Sequence, residues 1–161
     1  MIKGYLLKHY LAVLITAFCT QLVSAQSKSQ VQWISFEQLE DSLKARPKKV
    51  FIDFFTEWCT YCRKMEKEVF TKPAVAAVLN NDYYAVKMDA ESMDTIRFDG
   101  QLFINRNSTK RRKGIHDLAL LLGQRDGRFA PPTMLVLDAE FTIKQRYFSY
   151  MHSQKLLKAL E

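Results

Sequence analysis

The chain is predicted to fold as an α/β sandwich, a central mixed sheet with helices on both faces. Three observations lead there. Val50-Phe51-Ile52-Asp53-Phe54-Phe55 is an apolar run broken by one acid, the character of a central strand covered on both sides. Two further strand-like runs, Tyr83–Asp89 and Thr133–Leu137, lie far along the chain. Between these runs, apolar residues recur at helical spacing.

The elements follow in order. Gln26–Gln30 is a polar leader. Phe36, Leu39 and Leu43 recur at helical spacing and Ser35 can cap the start, so Ser35–Ala45 is expected to be a helix that Pro47 ends. The strand Val50–Phe55 runs straight into Cys59 and Cys62. A helix over Arg63–Phe70 is interrupted at Lys72-Pro73 and resumes over Pro73–Leu79. Tyr83–Asp89 is the second strand. Glu91–Phe129 is polar and mixed, with one apolar helix at Ile115–Leu122 closed by Gly123. After Pro131-Pro132 come the strand Thr133–Leu137, a turn at Asp138-Ala139-Glu140, the strand Phe141–Phe148, and a final amphipathic helix Ser153–Leu160.

The N-terminus reads as a secretory signal over residues 1–25. Lys3 and Lys8 give a positive start, Leu11–Phe18 a short apolar core, and Val23-Ser24-Ala25 a small-residue cleavage site. The apolar core falls short of the roughly 20 residues that span a bilayer, so cleavage rather than anchoring is expected. Cys19 would leave with the signal. Residues 26–161 then form one domain, long enough to fold without a staple. The whole chain carries a formal charge of +7. Cleavage removes two of its lysines and no acid, leaving a mildly basic protein. One dense basic run, Lys110–Lys113, suits a solvated loop or a partner-docking patch better than nucleic acid.

Cys59 and Cys62 pose the functional question, because C-x-x-C serves staples, metal clips and redox centres alike. A staple is weak, since so small a loop gains little closure entropy. Zinc needs two further ligands, and after cleavage only His116 and His152 remain as histidines. Haem attachment needs a histidine where Arg63 stands. As a redox pair, Cys59 sits where a strand hands over to a helix. There, backbone N–H groups and the helix dipole favour thiolate. Cys62, one turn on, can attack a mixed disulfide formed at Cys59. Arg63 and Lys64 add positive charge, Trp58 offers a flat apolar platform, and Asp53, if buried, would have a raised pKa and could take the Cys62 proton.

FIDFFTEWCTYC resembles the active-site segment of the thioredoxin family. Asp53, Trp58, Cys59 and Cys62 match residue by residue. A second anchor is Ala130-Pro131-Pro132-Thr133, where Pro132 matches the family's cis-proline. The resemblance implies that the backbone of Pro131 pairs with an extended client segment. It is strong over 48–90 and 130–159 and weak over an insertion at about 91–129. WCTYCRKMEKEVFTKPAVAAVLN is similar to the exported thiol–disulfide oxidoreductase branch, including the C-terminal domain of the membrane thiol:disulfide interchange protein.

The resemblance implies an exported, periplasmic disulfide reductase. It would use no cofactor beyond the redox-active Cys59–Cys62 pair, act on disulfide-containing client proteins, draw electrons from a membrane donor, and work as a monomer. Thr60-Tyr61 between the cysteines tunes the potential. With no histidine there to stabilise the thiolate, a reductant is expected. The usual glycine near Ser149-Tyr150 is absent, which alters the groove. Two other classes compete: a non-catalytic binding module whose cysteines form a permanent disulfide, and a metal-handling protein using Cys59, Cys62 and a histidine, with Met65 nearby.

Overall fold

The computed structural model describes residues 30–109 and 113–161. The signal and Lys110–Arg112 therefore lie outside the described residues. A five-stranded sheet is built from β1 (Trp33–Ile34), β2 (Lys49–Phe55), β3 (Tyr83–Asp89), β6 (Thr133–Leu137) and β7 (Ile143–Tyr147), ordered β1-β3-β2-β6-β7. β1 and β2 run parallel to β3, while β6 is antiparallel to both β2 and β7. Five helices cover it: α1 (Phe36–Ala45), α2 (Thr60–Glu68), α3 (Pro73–Asp82), α4 (Asp117–Gly123) and α5 (Ser153–Leu160). The chain has the thioredoxin fold, with a mixed sheet between two helical layers.

The alternation of β2 explains the two cores. Val50, Ile52 and Phe54 face one way, into a cluster with Phe36 and Leu39 of α1, Leu118 and Ala119 of α4, and Leu135 and Leu137 of β6. Phe51 faces the other way, against Met65 of α2, Val75 and Leu79 of α3, and Leu156 and Leu160 of α5. A strand whose neighbours on both faces are apolar must itself be apolar, which is why β2 reads as a near-continuous run. Asp53 lies on the α2 side of that strand and is the one acid in it.

The structure moves several boundaries. α2 begins at Thr60, not Arg63, because the Cys59 sulfur caps it, and it ends at Glu68 rather than Phe70. α3 runs on to Asp82. α4 begins at Asp117 rather than Ile115, because His116 is its cap, and Gly123 sits within its last turn. A Cβ at Gly123 would come within 3.0 Å of Thr133 and 3.1 Å of Phe129, so α4 approaches the start of β6 closely enough that any side chain there would push those groups back by a few tenths of an ångström. β7 begins at Ile143 rather than Phe141. The Asp138 carboxylate accepts from the N–H groups of Glu140 and Thr142 and lengthens the turn, with Phe141 at φ 61°.

The insertion holds a hairpin that the sequence reading omits, β4 (Ile96–Phe98) and β5 (Gln101–Phe103), turned by Asp99-Gly100 at positive φ. Phe98 packs edge-on against Phe36 of α1 at 5.3 Å between centroids. Asn105 ties the segment together, its amide donating to the carbonyls of Ser92 and Gly114 at 3.1 and 2.8 Å.

Candidate active site

β2 delivers the chain to a short turn, and α2 starts immediately after it. Cys59 is the N-cap of α2, and its sulfur accepts the N–H of Cys62 at 3.0 Å. The two cysteines are joined in a disulfide with Cα atoms 5.3 Å apart. Cys59 is 4% and Cys62 7% exposed, so helix position rather than exposure distinguishes them. The Cys59 N–H donates to the Thr56 carbonyl at 3.1 Å, which holds the turn shut.

Asp53 is 3% exposed, on β2, the strand that leads into the cysteines. Burial pushes its carboxyl up to about 7; the Lys87 ammonium opposes this and the Glu66 carboxylate adds to it. Lys87 is the cross-strand neighbour of Asp53 on β3 and is ion-paired with Glu66 of α2. A cavity of about 170 Å³, lined by Thr56, Cys62, Glu66 and Lys87 among others, opens on the Cys62 side of the pair towards this cluster. Among the described residues the buried Thr56 hydroxyl has no hydrogen-bond partner.

Trp58 is 61% exposed and its indole N–H donates to Glu91 at 3.0 Å. Tyr61 is 60% exposed, its ring 6.2 Å from that of Tyr150. Thr60 accepts from Arg63 at 3.3 Å, and Arg63 also reaches back to the Glu57 carbonyl at 2.7 Å, placing its charge beside the turn. Lys64 instead lies over the Tyr150 ring at 4.9 Å. Met65 is core.

The Pro131–Pro132 peptide is cis. The pairing of Phe54 with Thr133 brings both prolines to the cysteine end of β2, Pro132 buried and Pro131 half-buried. Thus the structure gathers Asp53, Trp58, Cys59, Thr60, Tyr61, Cys62, Pro131 and Pro132 at one end of the sheet.

The histidines have other duties. His116 is buried and caps α4, accepting from the Leu118 N–H at 3.2 Å, and His152 caps α5. Among the described residues, no three His, Cys, Asp or Glu side chains are grouped to hold a metal ion.

The sequence reading missed Glu91, Lys113 and Tyr150. Glu91 opens the insertion and Lys113 lies within it; they hold Trp58 and Glu57, the latter at 3.3 Å. Tyr150 stands where the expected glycine is missing; that substitution was the available signal. Among the described residues, no helix is long and apolar enough to cross a membrane.

Comparison with known proteins agrees with the thioredoxin fold. The chain is 50% identical over 36 residues to thiol:disulfide interchange protein DsbD 2 of Pseudomonas aeruginosa, covering 22% of this chain and 6% of that protein. It is 40% identical over 57 residues to DsbD of Vibrio vulnificus, covering 32% and 10%. The chain thus spans only a small part of the curated relatives it matches. Among solved structures, one titled DsbH oxidoreductase superposes with a TM-score of 0.57 at 16% identity, covering 84% of this chain and 85% of that one. The reduced C-terminal domain of DsbD from Neisseria meningitidis gives 0.52 at 17% identity, covering 77% and 89%. Residues 14–139 match the family Thioredox_DsbH, described as "Protein of unknown function, DUF255", and the chain belongs to that thioredoxin-like family.

Proposed function

We propose that the chain is an exported thiol–disulfide oxidoreductase that reduces disulfides in client proteins. The observation that carries this is the Cys59–Cys62 disulfide at the α2 N-terminus, with a buried carboxyl, at about 7 and within the working range of a base, on the strand that leads into it. In the reduced protein, the Cys59 thiolate attacks one sulfur of a client disulfide. A Cys59–client bond forms, and the other client sulfur leaves as thiolate and takes a proton from solvent. Asp53 takes the Cys62 proton, and the Cys62 thiolate attacks the Cys59 sulfur. The mixed disulfide breaks, the second client thiolate leaves, and Asp53 returns the proton to it. The client gains two electrons and two protons, and the Cys59–Cys62 disulfide is restored.

Trp58 flanks the entry, Thr60 and Tyr61 set the potential, and the Pro131 backbone edge pairs with the client beside Pro132. A membrane reductase re-reduces the pair in the periplasm, after the signal at 1–25 has been removed to leave a monomeric single domain over 26–161. No metal or organic cofactor takes part. The partial DsbD likeness and the family membership support this reading.

The test is Cys62→Ala, reduced and mixed with oxidised periplasmic extract. Mixed disulfides through Cys59 are expected on non-reducing gels, dissolving with dithiothreitol. An empty lane would count against exchange. The direction is read separately, from the potential of the pair: near about −270 mV for a reductant, near about −120 mV for an oxidant.

A further inference from the structure

A second recess lies at the same end of the sheet as the disulfide, beyond the proline loop. It is a pocket of about 390 Å³ lined by Arg125, Asp126, Arg128, Ala130 and Phe148. Register fixes its place. Phe54 of β2 faces Thr133 of β6, and Met134 of β6 faces Tyr147 of β7. Phe148 therefore continues β7 opposite Thr133, the residue after Pro132, while Ala130 directly precedes the Pro131 edge. The pocket abuts the groove that would hold a client.

Its construction is basic. Arg125 and Arg128 stand at the two ends of a tight turn through Asp126 and Gly127, at φ 52° and 73°. Their backbones bond each other at 2.8 and 3.0 Å. The Arg125 guanidinium lies 5.0 Å from the centre of the Phe148 ring. A guanidinium held over a ring by cation–π attraction keeps N–H groups for a further acceptor. Among the described residues neither arginine takes part in an ion pair, although Asp126 lies beside both. Two forked donors with no carboxylate of their own, over an aromatic floor, match a carboxylate.

We infer that this pocket is a carboxylate subsite that selects client segments with an acidic residue about three positions from the half-cystine attacked by Cys59. This rests on the exchange reading above. β2 and β7 are two strand spacings apart, about 10 Å, and an extended segment advances about 3.3 Å per residue. A client segment that passes the Pro131 edge and crosses the strand ends from β2 towards β7 therefore carries its third residue from the cystine to the pocket.

The experiment uses two disulfide-linked peptides identical except for Glu or Lys at that third position. Their kcat/KM ratio with the full chain is expected to favour Glu by about three- to ten-fold, the range of two exposed ion pairs. At about 1 M salt, where the screening length is about 3 Å, the ratio should approach one. It should also approach one in Arg125→Ala/Arg128→Ala and rise in Asp126→Asn. A ratio near one in the unaltered chain, or a Glu preference that survives the double substitution, overturns the subsite and leaves the exchange reading intact. If the chain reduces neither peptide, the exchange reading fails. The subsite is then judged by fluorescence anisotropy of the same peptides with cysteine replaced by serine, on the oxidised protein; equal affinities overturn it.

Discussion

α1 and α2 begin in the same way and are used differently. At α1, the Ser35 hydroxyl accepts the N–H of Gln38, three residues on, at 3.3 Å, and the Gln38 side chain accepts the Ser35 N–H at 2.9 Å. At α2, the Cys59 sulfur accepts the N–H of Cys62, again three residues on, at 3.0 Å. Both are cap-and-third-residue pairs that satisfy orphan donors of a first helical turn. The first closes through two hydrogen bonds on the surface. The second closes through a covalent bond beside a buried acid. The spacing that makes a capping box is thus also a spacing at which two sulfurs meet, and C-x-x-C is a cap whose closure can be opened by electrons.

Three substitutions would break or sharpen this comparison. Cys59→Ser has the largest expected effect. Serine is itself a good cap, so α2 should persist and the melting point should stay near that of the reduced protein, while disulfide turnover disappears. If turnover survived, the cap would not be the nucleophile.

Asp53→Asn comes next. It should slow client reduction by about 10- to 100-fold near neutrality, with the gap narrowing above the ordinary thiol pKa of about 8.5, where Cys62 ionises unaided. Stability should move the opposite way. The folded carboxyl keeps its proton up to about 7, against an ordinary value of 3.8. Between those values the folded state binds more protons, so stability falls as pH rises through this window. The asparagine variant should lose that slope and melt higher at pH 8, by at most about 4 kcal/mol, taking about 1.4 kcal/mol per tenfold of proton affinity. Melting curves at about pH 4 and pH 8 would check this; parallel pH profiles would contradict it.

Ser35→Ala is the smallest. Loss of the α1 cap should cost about 1 kcal/mol in denaturant titrations and leave turnover untouched. A turnover defect would mean that the two caps are coupled through the sheet.

The same contrast explains what was legible in the sequence. Tyr83–Asp89, Thr133–Leu137 and Ser153–Leu160 match their expected bounds because sharp punctuation, Pro132 or a capping residue, flanks a clear apolar pattern. The α1 cap was legible because serine advertises itself. The α2 start was legible as the handover at Cys59, although the apolar pattern marks the helix only from Arg63, since Thr60 and Tyr61 are poor helix formers. The β4–β5 hairpin escaped because its strands are three residues long, although Asp99-Gly100 carries the usual tight-turn signal. Within the site, Asp53, Trp58, the cysteines and the prolines were legible as local motifs. Glu91, Lys113, Arg125 and Arg128 were not, because their importance comes from where the fold carries them.

The insertion is fastened to the turn before Cys59. Ala90 donates to the Phe55 carbonyl at 2.7 Å, Glu91 holds the Trp58 indole, and Lys113 pairs with Glu57. Such an attachment makes redox state and docking thermodynamically reciprocal. Any partner that grips the insertion more tightly in one redox state must bias the potential by the same free energy. A tenfold preference corresponds to about 30 mV. A docked donor or client would thereby set the driving force of the electron transfer it takes part in.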